Sequence, residues 1–441
     1  MRSHLKVDPA TMAILLAVIL IICLGFGVWI GAALLIAGAF AMEFFTLRPV
    51  GPAMATTVWT HISLWGLASL PLFIWMGEIL CRTRLSENLF NGLSPLLQRM
   101  PGGLLHVNVV GCTAFSAISG SSAATLLTVG KITIPELKRR GYPDSMVAGT
   151  LAGAGTLGLL IPPSITMIIY GIMVEESIAR LFMAGLIPGL MLAGLFILYN
   201  IGWGLLTDQG RNTREDRASA SKKLKGITEL FPIGALIFSV IGSIYTGIAA
   251  PTEAAVLGVA GAIILAAFQR SLSIQVLAET LMGTVRTTSM IILLLAGSAF
   301  LTLAMGFTGL PRALAEWIGA MELSSTALLL ALMVMYMILG CFLDGISMIV
   351  LTLAVVEPLV RTAGIDLIWF GVFVVLVGEM ALITPPIGFN LFLVQGMTGR
   401  DIGFISRAAA PMFALMFIAV VLLILFPEIA LWLPEILTRK N

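Results

Sequence analysis

Two stretches of this 441-residue sequence, Thr11 to Val28 and Ala408 to Phe426, contain no charged residue. About 20 consecutive apolar residues cross the hydrocarbon core of a bilayer as a helix. Composition carries the same message through the rest of the chain, which is 59% hydrophobic and 11% charged. An ordinary soluble domain carries about 25% charged residues, so this surface is solvated by lipid. The 45 glycines and 20 prolines point to close helix packing and deliberate breaks, tolerated where protein or a cavity re-satisfies the backbone. The expected fold class is therefore an all-α integral membrane protein.

A formal net charge of +2 gives no sign of a nucleic-acid partner. Cys23, Cys81, Cys112 and Cys341 lie scattered in apolar segments without pairing or metal spacing, and are expected to be inert core residues. Three histidines with no carboxylate–His cluster argue against a zinc or haem site. Met1 to Lys6 followed by an apolar run faintly resembles a signal peptide. The run continues to Ala41, too long for a cleavable leader, and reads as the first two spans.

Apolar segments fall at about 10–28, 29–46, 57–80, 103–119, 122–135, 144–175 and 181–205. A polar stretch, Asp208 to Lys225, follows with Arg211, Arg214, Arg217, Lys222, Lys223 and Lys225. Seven more segments come at about 228–248, 251–269, 277–307, 325–343, 346–360, 367–396 and 408–433. The halves repeat one another. Pro162-Pro163 and Pro385-Pro386 are 223 residues apart, and the same offset relates Gly38 to Gly261 and Ser122 to Gly345. Ile118 to Ser122 and Phe342 to Ser347 interrupt half-length apolar helices too tightly for a loop outside the membrane, so each reads as the tip of a re-entrant hairpin. About five crossings then remain per half, an odd number, and the halves must be inverted. The expected organisation is a first repeat over 1–207 with a hairpin at about 103–135, a cytoplasmic linker over 208–226, and a second repeat over 227–441 with a hairpin at about 325–360. Placing the N-terminus outside puts Arg82, Arg84, Arg99, Lys131, Lys138, Arg139, Arg140 and the six linker cations inside. Arg2, Lys6, Arg48 and Arg180 stay outside, which satisfies the positive-inside rule. Both termini are then expected on the outer face.

Three motifs could carry chemistry. In Ser119-Gly120-Ser121-Ser122-Ala123-Ala124-Thr125, the helix starting near Ser122 offers free N–H groups and a positive dipole end to an anion such as a carboxylate. The helix ending near Ser119 offers carbonyls that could coordinate Na⁺. The bland alternative is small-residue packing. In Gly155 to Ser164, two mid-membrane prolines break the helix, and the freed carbonyls around Thr156 to Ile161 need partners. Gly378 to Asn390 is the counterpart, and paired breaks in inverted halves point to a midplane transport site. In Asp344-Gly345-Ile346-Ser347, a carboxylate between apolar half-helices must be paired, hydrated or ion-bound; it could ligate Na⁺, cap the following helix, or do both. The candidate substrate-binding residues are Ser121, Ser122, Thr125, Ser164, Gly345, Ile346 and Asn390. The candidate ion ligands are Ser119, Gly120, Thr156, Gly158, Asp344, Ser347, Thr384 and Pro385. Glu78, Glu253 and Glu379 read as satisfied packing or interface residues, Arg286 as a snorkelling cation, and Trp59, Trp65, Trp75, Trp317, Trp369 and Trp432 mostly as interfacial anchors.

At these motifs the chain resembles a known family. Gly120 to Thr125, Pro135 to Tyr142, Gly155-Thr156-Leu157-Gly158 with Ile161 to Ser164, Tyr170-Gly171, Leu181 to Gly185 with Ile187-Pro188-Gly189, and Thr384 to Asn390 are similar to the large permease (DctM-type) subunit of tripartite ATP-independent periplasmic (TRAP) transporters. The likeness extends over nearly the whole chain. It implies an elevator fold of the ion-transporter superfamily, with a scaffold and a mobile transport domain holding both hairpins. It implies Na⁺-coupled uptake of an organic acid, such as a C4-dicarboxylate, a sialic acid or another sugar acid, delivered by a periplasmic binding protein. A small four-helix (DctQ-type) membrane subunit is expected as a separate polypeptide, in a bacterial inner membrane. No cofactor beyond Na⁺ as coupling ion is expected.

A stand-alone Na⁺/dicarboxylate symporter of the same superfamily stays open as an alternative. An intramembrane enzyme finds no His–carboxylate pair, Ser–His arrangement or metal-ligand spacing within the spans. Broken helices suit alternating access better than a channel. No nucleotide-binding motif is present, so the energy is expected from an ion gradient.

Overall fold

The computed structural model describes residues 9–207, 219–310, 313, 316, 324–386 and 388–438. Among them every regular element is helical. The first half carries α1 (Pro9–Gly25), α2 (Ile30–Phe45), α3 (Val50–Ile62), α4 (Ser69–Arg82), α5 (Leu85–Leu97), α6 (Leu105–Ser119), α7 (Ser122–Arg139), α8 (Asp144–Gly155), α9 (Ile165–Val174) and α10 (Ile178–Leu206). The second carries α11 (Ala220–Tyr245), α12 (Pro251–Phe268), α13 (Ile274–Thr308), α14 (Ser325–Gly340), α15 (Gly345–Thr362), α16 (Leu367–Ala381), α17 (Phe389–Thr398), α18 (Ile402–Leu425) and α19 (Glu428–Thr438).

Among the described residues, α10, α11, α12, α13, α15 and α18 are each long and apolar enough to cross a membrane. The segment expected over 57–80 as one span is instead α3 and a second helical stretch from Trp65 to Arg82, bent by 56°. Ser63 and Leu64 leave the helix there without any proline to announce it. The polar linker also differs from expectation. Ser219 caps a helix through the Lys222 N–H, so Lys222, Lys223 and Lys225 belong to α11, while 208–218 lie outside the described residues.

The burial pattern separates a protein-packed centre from a lipid-facing periphery. Every residue of α16 is buried, as are most of α6 and α8. A helix apolar on all sides is stable where protein surrounds it. By contrast, Phe231 and Phe238 on α11 and Phe268 on α12 are exposed, a surface that lipid covers. At the periphery α2 lies along α13 with their backbones nearly touching. A Cβ on Gly297 would fall 2.3 Å from the Gly31 carbonyl oxygen, and one on Gly31 would fall 2.5 Å from that of Leu293. Small residues permit such approach in membrane helices.

Of the tryptophans read as anchors, Trp59, Trp65 and Trp432 are exposed. Trp369 is a core residue, stacked on Phe373 and donating to the Leu423 carbonyl at 3.2 Å. Trp75 donates to Thr280 Oγ1 at 3.2 Å, and Trp317 lies outside the described residues.

Candidate functional site

Hairpin 1 is α6 and α7, joined by Gly120 and Ser121. Gly120 takes φ +57°, the left-handed conformation that lets α6 stop within one residue. Ser121 then caps α7, its Oγ accepting the Ala124 N–H at 3.4 Å, and its carbonyl accepts the Thr125 N–H at 3.0 Å. Four N–H groups at a helix start lack intrahelical partners. With the Ser121 N–H turned to Ser119 Oγ at 3.4 Å and the Ala124 N–H to the cap, the Ser122 and Ala123 N–H groups are left for a ligand. Ser119 Oγ and Thr125 Oγ1 pair at 2.8 Å and hold the two arms together.

The first Pro-Pro break packs against this tip. A short 3₁₀ turn, Thr156–Leu159, follows α8, and Ser164 caps α9 by accepting the Met167 N–H at 3.3 Å. The Ile165 N–H donates to the Gly120 carbonyl at 3.4 Å. Gly158 lies so close that a Cβ there would sit 2.5 Å from the Ser122 backbone. The Thr156 hydroxyl donates to the Gly153 carbonyl at 2.6 Å, within its own helix end.

Hairpin 2 is α14 and α15, and its tip is built differently. Asp344 Oδ2 accepts the N–H groups of Ile346 at 3.2 Å and Ser347 at 3.3 Å. The aspartate thus caps α15 and also takes the Ile346 N–H, whose counterpart in hairpin 1, Ala123, is left available. At the second break Thr384 Oγ1 donates to the Met380 carbonyl at 2.8 Å, and the Asn390 N–H donates to the Leu382 carbonyl at 3.0 Å. The Asn390 side chain is buried with neither polar atom partnered among the described residues.

One cavity of about 280 Å³ collects both tips. Of the residues proposed from sequence, Ser119, Gly120, Ser121, Ser122, Asp344, Gly345 and Ile346 line it. Thr125, Ser164, Asn390, Thr156, Gly158, Thr384 and Pro385 stand behind the tips or in the breaks, and Ser347 faces a separate groove with Trp29 and Arg286. Sequence reasoning gave no site role to three features, two in the wall and one behind it. Glu78 and Cys81 of α4 line the cavity, with Thr287 and Met290 of α13. Glu78 is ion-paired to Arg82 at 2.8 Å, and Arg82 also reaches Glu279 at 3.5 Å. Among the described lining residues there are two carboxylates, Glu78 and Asp344, and no lysine or arginine.

The third feature is Glu379, read from sequence as a packing residue. It sits on α16, 1% exposed. Its Oε1 accepts the Ser122 hydroxyl and, at 3.2 Å, the Leu159 N–H. The second half thereby grips the hairpin and the break of the first. A lone carboxylate six residues before Pro385 inside an apolar run was the available signal.

Residues 17–429 match the family described as "Tripartite ATP-independent periplasmic transporter, DctM component". The chain is 32% identical, over 97% of its length and 99% of the relative's, to the ectoine/5-hydroxyectoine TRAP transporter large permease protein UehC of Ruegeria pomeroyi. It is 31% identical to the C4-dicarboxylate TRAP transporter large permease protein DctM of Pseudomonas aeruginosa, over 84% of this chain and 86% of that one. Its fold resembles that of the YdaH transporter of Alcanivorax borkumensis, with a TM-score of 0.62 and 16% identity over 87% of this chain and 90% of that one.

Proposed function

Because this chain belongs to the DctM component family of the tripartite ATP-independent periplasmic transporters, we propose that it imports a small organic acid together with Na⁺. The acid reaches it from a periplasmic binding protein, and a small four-helix membrane subunit stands beside it. The observation that carries this reading is the charge of the cavity. Both hairpin tips meet there, its wall carries Glu78 and Asp344, and no cationic side chain lines it among the described residues. The nearby guanidinium of Arg82 is held by Glu78 and Glu279. An anion entering such a space meets N–H groups at the start of α7 but no compensating charge, and an uncompensated charge at membrane depth is costly. A cation that enters with the acid supplies the compensation, which is the physical content of symport.

The two tips then divide the work. The free Ser122 and Ala123 N–H groups suit a carboxylate. The Asp344 carboxylate, with carbonyls of the neighbouring broken helices, suits Na⁺. Hairpins entering from opposite faces, each seated against a Pro-Pro break, suit an elevator motion of the hairpin-bearing body past α2, α4 and α13. The acid is a C4-dicarboxylate, a sialic acid or another sugar acid.

Reconstitution in liposomes tests this, with the small subunit and binding protein present and labelled acid outside. Uptake is expected under an inward Na⁺ gradient and is expected to stop when choline replaces Na⁺. Uptake that persists in choline would overturn the symport reading. Full-rate uptake by this chain without either partner would establish a stand-alone carrier instead.

A further inference from the structure

Glu379 stands where the two halves of the chain differ most. Under the 223-residue offset its counterpart is Thr156, and the counterpart of its partner Ser122 is Gly345. Thr156 turns its hydroxyl back to the Gly153 carbonyl and Gly345 has no side chain, so hairpin 2 has no equivalent of the Ser122–Glu379 pair. Hairpin 2 instead has its own carboxylate in the cap, Asp344, whose counterpart in hairpin 1 is Ser121. Each tip therefore has one carboxylate, supplied from within at hairpin 2 and across the halves at hairpin 1.

The donor and acceptor roles in this pair follow from chemistry. Glu379 Oε1 already accepts the Leu159 N–H and so is an acceptor oxygen, while a serine hydroxyl has one proton and two lone pairs. The Ser122 proton lies in the bond to Glu379 Oε1, so the face of that oxygen turned to the cavity carries lone pairs alone. We propose that Glu379 is a positioning residue that makes Ser122 Oγ an acceptor, and hence a ligand for the coupling cation rather than a donor to the acid. This rests on the Na⁺-symport reading above. It assigns to hairpin 1 a division within a single tip: backbone N–H groups for the anion, the Ser122 oxygen for the cation. Glu379 Oε2 is buried and has no partner among the described residues.

Thermal denaturation of the purified chain in lipid nanodiscs tests the assignment, with NaCl titrated against choline chloride at constant ionic strength. The wild-type melting temperature is expected to rise with Na⁺. S122A removes the ligand and E379M removes the acceptor that orients it, so each is expected to raise the half-saturating Na⁺ concentration about tenfold, as loss of one good partner does. E379Q keeps a carbonyl oxygen to accept from Ser122 and Leu159, and is expected to stay within about twofold of wild type. The double variant S122A/E379M is expected to be no weaker than S122A, because Glu379 acts through Ser122. A merely structural role would lower the melting temperature in choline and leave the Na⁺ midpoint unmoved. If E379M fails to fold, S122A decides: a lost Na⁺ response supports the assignment and an unchanged midpoint overturns it. A normal wild-type response with an unchanged E379M midpoint overturns the Glu379 assignment alone. A wild-type chain indifferent to Na⁺ overturns the symport reading and this assignment together.

Discussion

At Asp344 one carboxylate oxygen receives two N–H groups, from Ile346 and Ser347, and the residue also lines the cavity. Capping and ion binding make different demands on it. A cap needs an oxygen acceptor, and asparagine serves nearly as well as aspartate; a cation needs the charge. Asp344→Asn is therefore expected to melt within a degree or two of wild type in choline, on the order of the small Asp–Asn difference in capping, while its Na⁺ half-saturation rises. Asp344→Ala loses the cap as well, at a cost of about 1 kcal/mol, and melts lower in choline besides. Melting curves of the three proteins in NaCl and in choline chloride resolve this. If Asp344→Asn binds Na⁺ as wild type does, Asp344 is a cap and the ion site lies elsewhere. The capping role was open in the sequence, since aspartate before a helix start is a recognised signal. The Ser122–Glu379 bond was not, because it joins residues 257 apart, and α16 is apolar apart from Glu379 itself, so periodicity could not say which element its buried carboxyl meets.

Between elements, α2 and α13 cross with their backbones in close approach. Gly297 and Gly31 approach until a Cβ on Gly297 would lie 2.3 Å from a backbone oxygen and 2.9 Å from Leu34 Cβ. Backbone cannot move aside as a flexible side chain can. Gly297→Ala is therefore expected to destabilise the protein by about 1–3 kcal/mol, the usual cost of overpacking. Gly306, on the same helix, has nothing within 4 Å of its Cβ position. Gly306→Ala is expected to be neutral or stabilising by up to about 1 kcal/mol, through helix propensity alone. Thermal melts of the two variants side by side provide the check; equal destabilisation would mean that glycine matters to α13 for some reason other than the crossing. At this scale the sequence was informative wherever chemistry punctuates it. The paired prolines marked both breaks, and Ser119 to Ser122 and Asp344 to Ser347 marked both tips, because prolines and short polar turns cannot sit inside an apolar helix without ending it. The bend between α3 and α4 escaped notice because Ser63 and Leu64 carry no such constraint and tertiary packing imposes it.

For the whole molecule, the ends of the hairpins indicate sidedness. Lys138, at the end of α7, reaches the Thr398 carbonyl at 3.4 Å and Asp144 at 3.9 Å, and Arg400 bonds Asp144 through Nε at 2.8 Å. Lys138, Arg139, Arg140 and Arg400 thus gather at one end of the hairpin-bearing body. Arg361, near the end of α15, instead reaches the Val174 carbonyl at 3.3 Å, next to the α9–α10 turn that leads to Arg180. The positive-inside rule assigns the richer cluster to the cytoplasm. It also assigns there the start of α11, with Lys222, Lys223 and Lys225, so hairpin 1 is expected to open inward and hairpin 2 outward. Ser221 reports on this without disturbing the fold, being exposed on the first turn of α11 while Ser219 holds the cap. In a chain whose four native cysteines are replaced by serine or alanine, Ser221→Cys is expected to resist a membrane-impermeant maleimide applied to intact cells. It is expected to react once the membrane is opened. A cysteine placed at Arg180, beside the opposite cluster, is expected to show the reverse pattern. Labelling of Ser221→Cys from outside would invert the whole assignment: the linker would face the periplasm, hairpin 1 would open to it, and the α7 N–H groups would receive the acid on arrival rather than on release.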